Sequence, residues 1–500
     1  MQKPRRELTY LVALLLFNTY AAVTEASGSA QGKESPQPHA HLGEWKPCRC
    51  GGDLPACSPL VTCNNVTVPI NYPLDNKQQS ELDDTQNLTV HATRIFATDS
   101  DGKVLTDVPI VYWINGGPIF TPMGASVSNP YFEIITLQHR GLRWSSPLEC
   151  VPGDNGLTSV VKDNLENCSK NFYNQFPGNG PHPFSITNIA KDWDGFIRAY
   201  GAESAAGHGR EVNIYGVSFG TAVTQRLMAF TTQKLNRVVL DSVFSTYYGG
   251  FMSSDTEGYD DQIRQLFERC DTVNFDTCGV HFVEQLNLTA SGALQSQFGQ
   301  FQSSSGPAVE CAKAAGVESP SLDNLRNAFV SHSVSSSELP VPVGLLFRLG
   351  RCNSDDVAEL KAYTPLHTKF CTGTGEGCVA WPGSPLATST FLTELWAQGR
   401  PSYTLDGLAN AQTDCVSSVI GVYAMELRNL WFSQGLEYRT DIYLGTFPNF
   451  TATSTLMISG GLDANTPLVW AQALNQTVES IHHFAWPEST HVVIAQSPCA

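Results

Sequence analysis

Ser218 lies in the segment Gly216-Val217-Ser218-Phe219-Gly220, with one glycine two positions before it and another two positions after it. The segment follows a β-prone apolar run and precedes a stretch with apolar residues at helical spacing. A serine at such a strand-to-helix turn is strained, and the turn leaves no room for a Cβ at Gly216 or Gly220. The pattern therefore predicts a nucleophilic serine, with the N–H of Phe219 directed at the same small volume.

The pentad also occurs by chance in loops, so the prediction depends on an acid and a histidine further along the chain. Asp463 lies in a loop after the predicted strand at 455–459, and His491 follows the predicted strand at 481–486. Serine, acid and histidine in that chain order, each at a strand end, form the set needed for acyl transfer. We predict that Ser218 is the nucleophile, that His491 is its general base, and that Asp463 fixes the tautomer of His491.

Three other residues compete for these roles. His482 and His483 belong to the last predicted strand, where a side chain is displaced from the strand-end loop. Asp241 lies within the predicted strand at 238–243 rather than in a loop after it. All three are weaker candidates than Asp463 and His491.

Gly116 and Gly117 follow a continuous apolar run at 108–115, which is typical of a buried parallel strand. Two glycines at such a strand end allow a close backbone approach to a bound oxyanion. The N–H of Gly117 is the predicted second donor, together with the N–H of Phe219. An ordinary glycine-rich strand exit would show the same pattern. Acyl transfer by this set of groups needs no cofactor and no metal.

Strand patterns alternate with helical ones on both sides of the pentad, and residues 186–200 have helical periodicity. This alternation predicts an α/β fold, with a mostly parallel sheet and helices on both faces. The other predicted strands are at 66–74, 87–97, 131–137, 238–243 and the two already named near the C-terminus.

Between residues 249 and 434 the strand patterns disappear, and seven of the fourteen cysteines lie there. We interpret 249–434 as an inserted, disulfide-braced helical lid. The predicted core then has two parts, 66–248 and 435–500. A polar lead-in and a cysteine-rich segment, 27–65, would precede the core.

Residues 1–26 combine basic residues, a short apolar run and small residues, which predicts a secretory signal peptide and a secreted, extracellular protein. An even number of cysteines in such a protein indicates disulfides. A zinc site at Cys48, Cys50, Cys57 and Cys63 is the alternative for the first four cysteines. Six glycosylation sequons fit a secreted glycoprotein; they begin at Asn65, Asn87, Asn167, Asn287, Asn449 and Asn475.

The net charge is −17 and the pI is near 5.1. A surface with this much negative charge repels phosphate backbones, which excludes nucleic acid as a favoured partner. After the signal peptide no stretch is apolar and long enough to span a bilayer, so we expect no membrane partner for the mature chain.

Several motifs together resemble the prolyl iminopeptidase and tripeptidyl aminopeptidase branch of the α/β-hydrolases. They extend over most of the chain after the signal peptide, from about residue 66 to His491. The matching segments are Val68-Pro69-Ile70-Asn71-Tyr72, Asn115-Gly116-Gly117-Pro118, His139-Arg140-Gly141 with 145–150, 215–221, and Gly461 to Pro467. The resemblance implies an α/β-hydrolase fold and a secreted serine exopeptidase that removes one or a few residues from the N-termini of peptide substrates, with a lid that limits access.

The sequence departs from the family pattern at three of these positions. Ile119 replaces a glycine after the Gly-Gly-Pro loop, and Gln138 and Arg143 replace an aspartate and a glycine. Nine residues follow His491, where the family usually has a closing helix, so either the fold ends early or the sequence is incomplete there.

Two other functions remain open. A carboxylic ester hydrolase would use the same three residues, since the lid pocket decides whether an amide or an ester enters. A non-catalytic secreted binding protein on a hydrolase scaffold is the other alternative, although such proteins typically lack a member of the triad. Epoxide hydrolases and dehalogenases of this fold use an aspartate nucleophile, which position 218 does not supply.

Overall fold

A computed structural model represents the chain, and the part it describes excludes both termini and several internal segments. The predicted signal peptide, Ile119, Asn449 and six of the fourteen cysteines lie outside that part. The described residues are 40–48, 60–72, 86–106, 108–117, 131–203, 211–244, 251–332, 336–367, 383–396, 420–438, 443, 448, 450, 453–478 and 480–496.

The described residues form one sheet of ten strands. The strands are β1 His41–Leu42, β2 Lys46–Pro47, β3 Val61–Pro69, β4 Asn87–Ile95, β5 Ile110–Ile114, β6 Glu133–Leu137, β7 Val212–Val217, β8 Leu235–Asp241, β9 Ser454–Gly460 and β10 Ile481–Trp486. Their order across the sheet is β1-β3-β4-β6-β5-β7-β8-β9-β10, with β2 paired to β3.

The strands from β6 to β10 in that order run parallel, whereas the pairs from β1 to β6 are antiparallel. The mostly parallel sheet predicted from the buried apolar runs is confirmed. The prediction at 66–74 placed a strand too late in the chain, because β3 begins at Val61 and ends at Pro69. β7, which leads to Ser218, pairs with β5 and β8 in the middle of the sheet.

Alternate side chains along β7 point to opposite faces of the sheet and pack in two different hydrophobic cores. Ile214 packs with helices α2 (Ile186–Glu203) and α3 (Phe219–Phe230), which contribute residues such as Trp193 and Leu227. Tyr215 lies on the other face, where its ring stacks on Trp113. This alternation is the period of two that a strand covered on both faces requires.

Within the described residues, the predicted insertion contains helices and no strand. Its helices are α4 Phe251–Asp271, α5 Val280–Leu286, α6 Ala290–Gln302, α7 Pro307–Ala314, α8 Leu322–Val330, α9 Pro340–Arg351, α10 Ser354–Ala362, α11 Thr364–His367, α12 Pro385–Thr393 and α13 Ile420–Ser433. The other helices are α1 Leu165–Gln175, α14 Leu468–Thr477 and α15 Val493–Gln496.

The insertion packs in two different ways, which the sequence did not distinguish. Residues from α4 to α11 surround a hydrophobic core of their own, which includes Phe267 and Leu346. By contrast, α12 and α13 contribute Leu392 and Trp431 to the core beneath the sheet. Only the first part of the predicted lid therefore has a separate core; the domain boundaries themselves remain a prediction.

Four disulfides lie within the described residues: Cys48–Cys63, Cys150–Cys168, Cys270–Cys278 and Cys311–Cys352. The prediction of disulfides is confirmed for these eight cysteines. The zinc alternative is wrong for Cys48 and Cys63, because their sulfurs are bonded to each other. The last two pairs lie in the insertion, as predicted.

Two further predictions, the glycosylation sites and the lack of a membrane span, concern residues that the structure describes. The sequon residues Asn65, Asn87, Asn167 and Asn287 are exposed, and Asn475 is partly exposed. Within these residues, no helix combines the length and apolarity needed to cross a bilayer.

Candidate active site

Ser218 occupies the turn between β7 and α3. Its backbone dihedrals are φ 53° and ψ −124°, a conformation that a residue with a Cβ rarely adopts. The N–H of Ser218 donates to the carbonyl of Asp241, and the N–H of Thr221 donates to the carbonyl of Ser218. These contacts hold the strained turn that the pentad predicts.

Gly216 and Gly220 are required by space rather than by dihedral angle. A Cβ at Gly216 would lie 2.4 Å from Oγ1 of Thr224, and a Cβ at Gly220 would lie 2.1 Å from the carbonyl oxygen of Ile114. The first turn of α3 therefore rests directly on the end of β5. This contact fixes the height of Ser218 above the sheet.

Replacing Gly220 with alanine should lower the free energy of unfolding by about 3 kcal/mol or more, because the added methyl collides with a fixed backbone carbonyl. Thermal unfolding of the purified variant measures this effect. Gly299→Ala in α6 is the control, since a Cβ there meets nothing within 4 Å. Equal stability of the two variants would contradict the packing described for α3.

The structure brings Ser218, His491 and Asp463 together at the ends of β7, β10 and β9. Oγ of Ser218 lies 2.7 Å from Nε2 of His491, and Nδ1 of His491 lies 3.0 Å from each carboxylate oxygen of Asp463. With the Nδ1 proton donated to Asp463, Nε2 is free to accept the hydroxyl proton of Ser218. Their exposed fractions are 9%, 7% and 5%, so all three residues are largely buried.

The loop after β9 holds the carboxylate of Asp463 in place. Oδ1 accepts the N–H groups of Asn465 and Thr466, and Oδ2 accepts the hydroxyl of Thr466 at 2.6 Å. Hydrogen bonds to a carboxylate favour its charged form and orient it. No pattern in the sequence assigns this role to Thr466.

Asp241 belongs to β8, as predicted, but it is the last residue of the strand and not in its middle. It is buried and does not replace Asp463, but its carboxylate accepts the N–H groups of Val493 and Ile494. The hydroxyl of the next residue, Ser242, accepts the N–H of Val492. The end of β8 therefore anchors the backbone directly after His491.

The neighbouring negative charges together affect the pKa of His491 more than its burial does. Burial alone would lower the pKa of its imidazole, but the charge and hydrogen bond of Asp463, with a further contribution from Asp241, raise the pKa above its ordinary value. Burial also raises the pKa of the Asp241 carboxyl, although the hydroxyl of Tyr215 and the backbone N–H groups oppose that shift. The imidazolium is thus favoured where a general base would create it.

The predicted oxyanion loop lies directly against Ser218. A Cβ at Gly116 would lie 2.9 Å from Cβ of Ser218, and Gly117 has a left-handed φ of 43°. Phe219 is the first residue of α3, where backbone N–H groups have no partner within the helix. The two predicted donors therefore come from segments that flank Ser218, and their role as donors remains a prediction.

Helices of the insertion are fastened to the loops that carry Asp463 and His491. In α4, a Cβ at Gly258 would lie 2.5 Å from the carbonyl oxygen of Ala464, and Nε2 of Gln262 donates to the carbonyl of Leu462 at 2.6 Å. Oγ of Ser336 accepts the N–H of Thr490, the residue before His491. The insertion therefore packs against the loops that carry two of the three residues.

Two of the departures from the family motif, Gln138 and Arg143, lie in one tight turn. Arg143, at a position where the family has glycine, adopts a φ of 30°. Oε1 of Gln138 accepts the N–H of Trp144, which closes the same turn. Arg140 of this motif is fully buried and pairs with Asp192 through two nitrogens. Ile119 lies outside the described residues.

Comparison with known proteins gives one match by sequence. Residues 444–500, which include Asp463 and His491, match the sequence model of the family described as TAP-like protein, that is, tripeptidyl aminopeptidase-like. No curated protein matches the chain.

Three solved structures illustrate what the chain is similar to in space. Epoxide hydrolase I of potato (Solanum tuberosum) has 15% identity and a TM-score of 0.31, covering 82% of this chain and 92% of its own. A peroxisomal alpha-beta-hydrolase of Saccharomyces cerevisiae has 10% identity and a TM-score of 0.33, covering 88% and 86%. An esterase of Exiguobacterium antarcticum has 11% identity and a TM-score of 0.30, covering 82% and 91%.

Likenesses at these scores do not bear on substrate. The sheet order, the strained turn at Ser218 and the strand-end loops define the fold from the chain's own geometry. The chain has the α/β-hydrolase fold, and its residues 444–500 are similar to the TAP-like family.

Proposed function

We propose that the protein is a secreted serine exopeptidase that hydrolyses peptides from the N-terminus through an acyl-enzyme. The observation that carries the proposal is the 2.7 Å contact between Oγ of Ser218 and Nε2 of His491, with Asp463 behind the ring. Ser218 attacks the scissile carbonyl while His491 takes its proton. The N–H groups of Phe219 and Gly117 stabilise the oxyanion, and His491 returns the proton to the amine that leaves as the acyl-enzyme forms. The neutral His491 then takes a proton from the water that attacks the acyl group, and passes it to Oγ of Ser218 as the acid product leaves.

Peptides as substrates are supported by two observations. The TAP-like match covers the segment that contributes both Asp463 and His491. The insertion contacts the loops that carry these residues, at Leu462 and at Thr490, which favours short chain ends over internal segments of a folded protein. The predicted signal peptide, the four disulfides and the exposed sequons support secretion and glycosylation.

A panel of chromogenic substrates tests the proposal on the purified secreted protein. It contains a proline amide and tripeptide amides with free N-termini, N-blocked versions of each, and short-chain acyl esters. We expect cleavage of free-N-terminal amides and none of the blocked ones, because an exopeptidase recognises the ammonium group. Turnover of esters alone would retain the hydrolase and reject the peptidase.

The pH dependence of kcat/KM should show an acid limb with its midpoint above about 6.5, the ordinary pKa of histidine. His491 must be neutral to act as a base, and its raised pKa means that it becomes protonated at a higher pH than a free imidazole. Protonation of His491 lowers activity but stabilises the fold, because the folded protein binds this proton more tightly than the unfolded chain does. This stabilisation is complete below about pH 6.5 and is lost as the pH rises through the folded-state pKa of His491. A pH–rate profile that is flat down to pH 5 would contradict this assignment.

A further inference from the structure

His139 follows β6 by two residues and is buried, with an exposed fraction of 3%. It belongs to none of the roles proposed above. Its Nε2 lies 3.2 Å from the carbonyl oxygen of Asn115. Its ring meets Phe219 in an edge-to-face contact, with 5.5 Å between the ring centroids. One imidazole therefore contacts the two segments that supply the proposed oxyanion donors.

The Asn115 carbonyl lies at the base of the loop that continues into Gly116 and Gly117. A Cβ at Gly220 would lie 2.6 Å from that carbonyl oxygen, so the oxygen is in close contact with the first turn of α3. The Asn115 side chain is held as well, because its Nδ2 donates to Oγ1 of Thr136. The base of this loop is thus held by two residues: Thr136 of β6, and His139, which lies two positions after that strand.

The Phe219 ring is held from two sides. His139 contacts it on one side, and Phe391 of α12 makes a second edge-to-face contact with 6.1 Å between the centroids. Phe219 is fully buried, so its ring cannot turn without disturbing both neighbours. Its backbone N–H is thereby fixed relative to Ser218.

The proton of His139 is also defined by this environment. A carbonyl oxygen accepts only from an N–H, so Nε2 carries the proton and Nδ1 is a lone-pair acceptor. Nδ1 is buried and has no hydrogen-bond partner among the residues that the structure describes. Burial lowers the pKa of His139 to about 4, which keeps the ring neutral at neutral pH.

We propose that His139 is a positioning residue for the oxyanion hole: its Nε2–H holds the Asn115 carbonyl and its ring holds Phe219, so that the N–H groups of Gly117 and Phe219 converge on one point. The inference rests on the proposed function of Ser218. It concerns alignment of the donors and not contact with substrate. The expected consequence is a loss of kcat with little change in KM, since the oxyanion forms only in the transition state.

A matched pair of variants tests the inference in the full-length protein. The amide nitrogen of glutamine in His139→Gln reaches the place of Nε2, whereas asparagine in His139→Asn is too short. We expect His139→Gln to retain most of the wild-type kcat and His139→Asn to lose roughly 10 to 100-fold, with KM within about three-fold of wild type. His139→Phe retains the ring contact without the donor and should resemble His139→Asn.

An aldehyde analogue of the best substrate in the panel gives a second readout. It forms an oxyanion on the serine, so its affinity should fall across the variants by the same factor as kcat/KM. Equal kcat in His139→Gln and His139→Asn would overturn the inference, as would a rise in KM alone.

A failure of the proposed function would give a different result from a failure of the role proposed for His139. The wild type would then hydrolyse no substrate and form no aldehyde complex, and this result would overturn both proposals. If His139→Asn and His139→Phe do not fold, the comparison of His139→Gln with wild type decides: retained kcat is required, and a loss of ten-fold or more contradicts the role of the Nε2–H donor.

Discussion

Replacing Ser218 with alanine is expected to reduce kcat/KM roughly 10⁴ to 10⁶-fold, while the melting temperature stays close to that of the wild type. The substitution removes the oxygen that lies 2.7 Å from Nε2 of His491, which the proposed mechanism uses as its nucleophile. The backbone strain at φ 53° remains in the alanine variant, because Cβ is retained. Steady-state kinetics with the best substrate of the panel, together with thermal unfolding, measure both effects.

Ser296→Ala is the matched control. Ser296 is exposed on α6, a helix of the insertion, and loss of its hydroxyl should leave turnover unchanged. If Ser218→Ala retains a tenth or more of the wild-type activity, Ser218 is not the nucleophile. If both variants lose activity equally, the effect belongs to expression or folding.

Replacing Asp463 with asparagine is expected to reduce kcat by about 10⁴-fold with little change in KM. The carboxylate accepts hydrogen bonds from Nδ1 of His491 and from Asn465 and Thr466 on its two oxygens. An amide offers only one oxygen and turns a donor toward one of these groups, which favours the wrong tautomer of His491. The kinetics of Asp463→Asn with the same substrate measure the loss.

Asp154→Asn provides the comparison for this variant. Asp154 also accepts two backbone N–H groups, from Gly156 and Thr158, but its loop carries none of the three proposed catalytic residues. We expect nearly normal kcat for Asp154→Asn. Activity of Asp463→Asn within ten-fold of the wild type would assign the acid to another residue, with Asp241 as the nearest alternative.

The three central residues could be predicted because each follows a pattern that is local in sequence. The glycines at 216 and 220 indicate a turn that excludes side chains, and the structure shows that a Cβ would collide at both positions. The loops with Asp463 and His491 follow short apolar runs that became β9 and β10. Parallel strands then bring their carboxyl ends to one edge of the sheet.

The role of Asp241 could not be predicted by the same reasoning. Its place in the strand is local in sequence, but the partners of its carboxylate, Val493 and Ile494, are more than 250 residues away in sequence. His139 was missed for a related reason. The motif that contains it assigns it no role, and its contacts with Asn115 and Phe219 depend on how β6, β5 and α3 meet.

The packing of the insertion shows the same limit. Amphipathic periodicity in 249–434 correctly predicted helices, since it reports that one face of each helix is buried. It does not report which surface buries that face. The prediction therefore assigned the helices α12 and α13 to the lid, although their residues Leu392 and Trp431 pack in the core beneath the sheet.

Labelling with a fluorophosphonate followed by mass spectrometry of the digested protein tests the central claim most directly. The reagent phosphonylates a serine only where a base and oxyanion donors activate it. We predict one adduct, on the peptide that contains Ser218, in native wild-type protein, and none after denaturation or in Ser218→Ala. No adduct in the native protein, or an adduct at another serine, would contradict the assignment of Ser218 as the activated nucleophile.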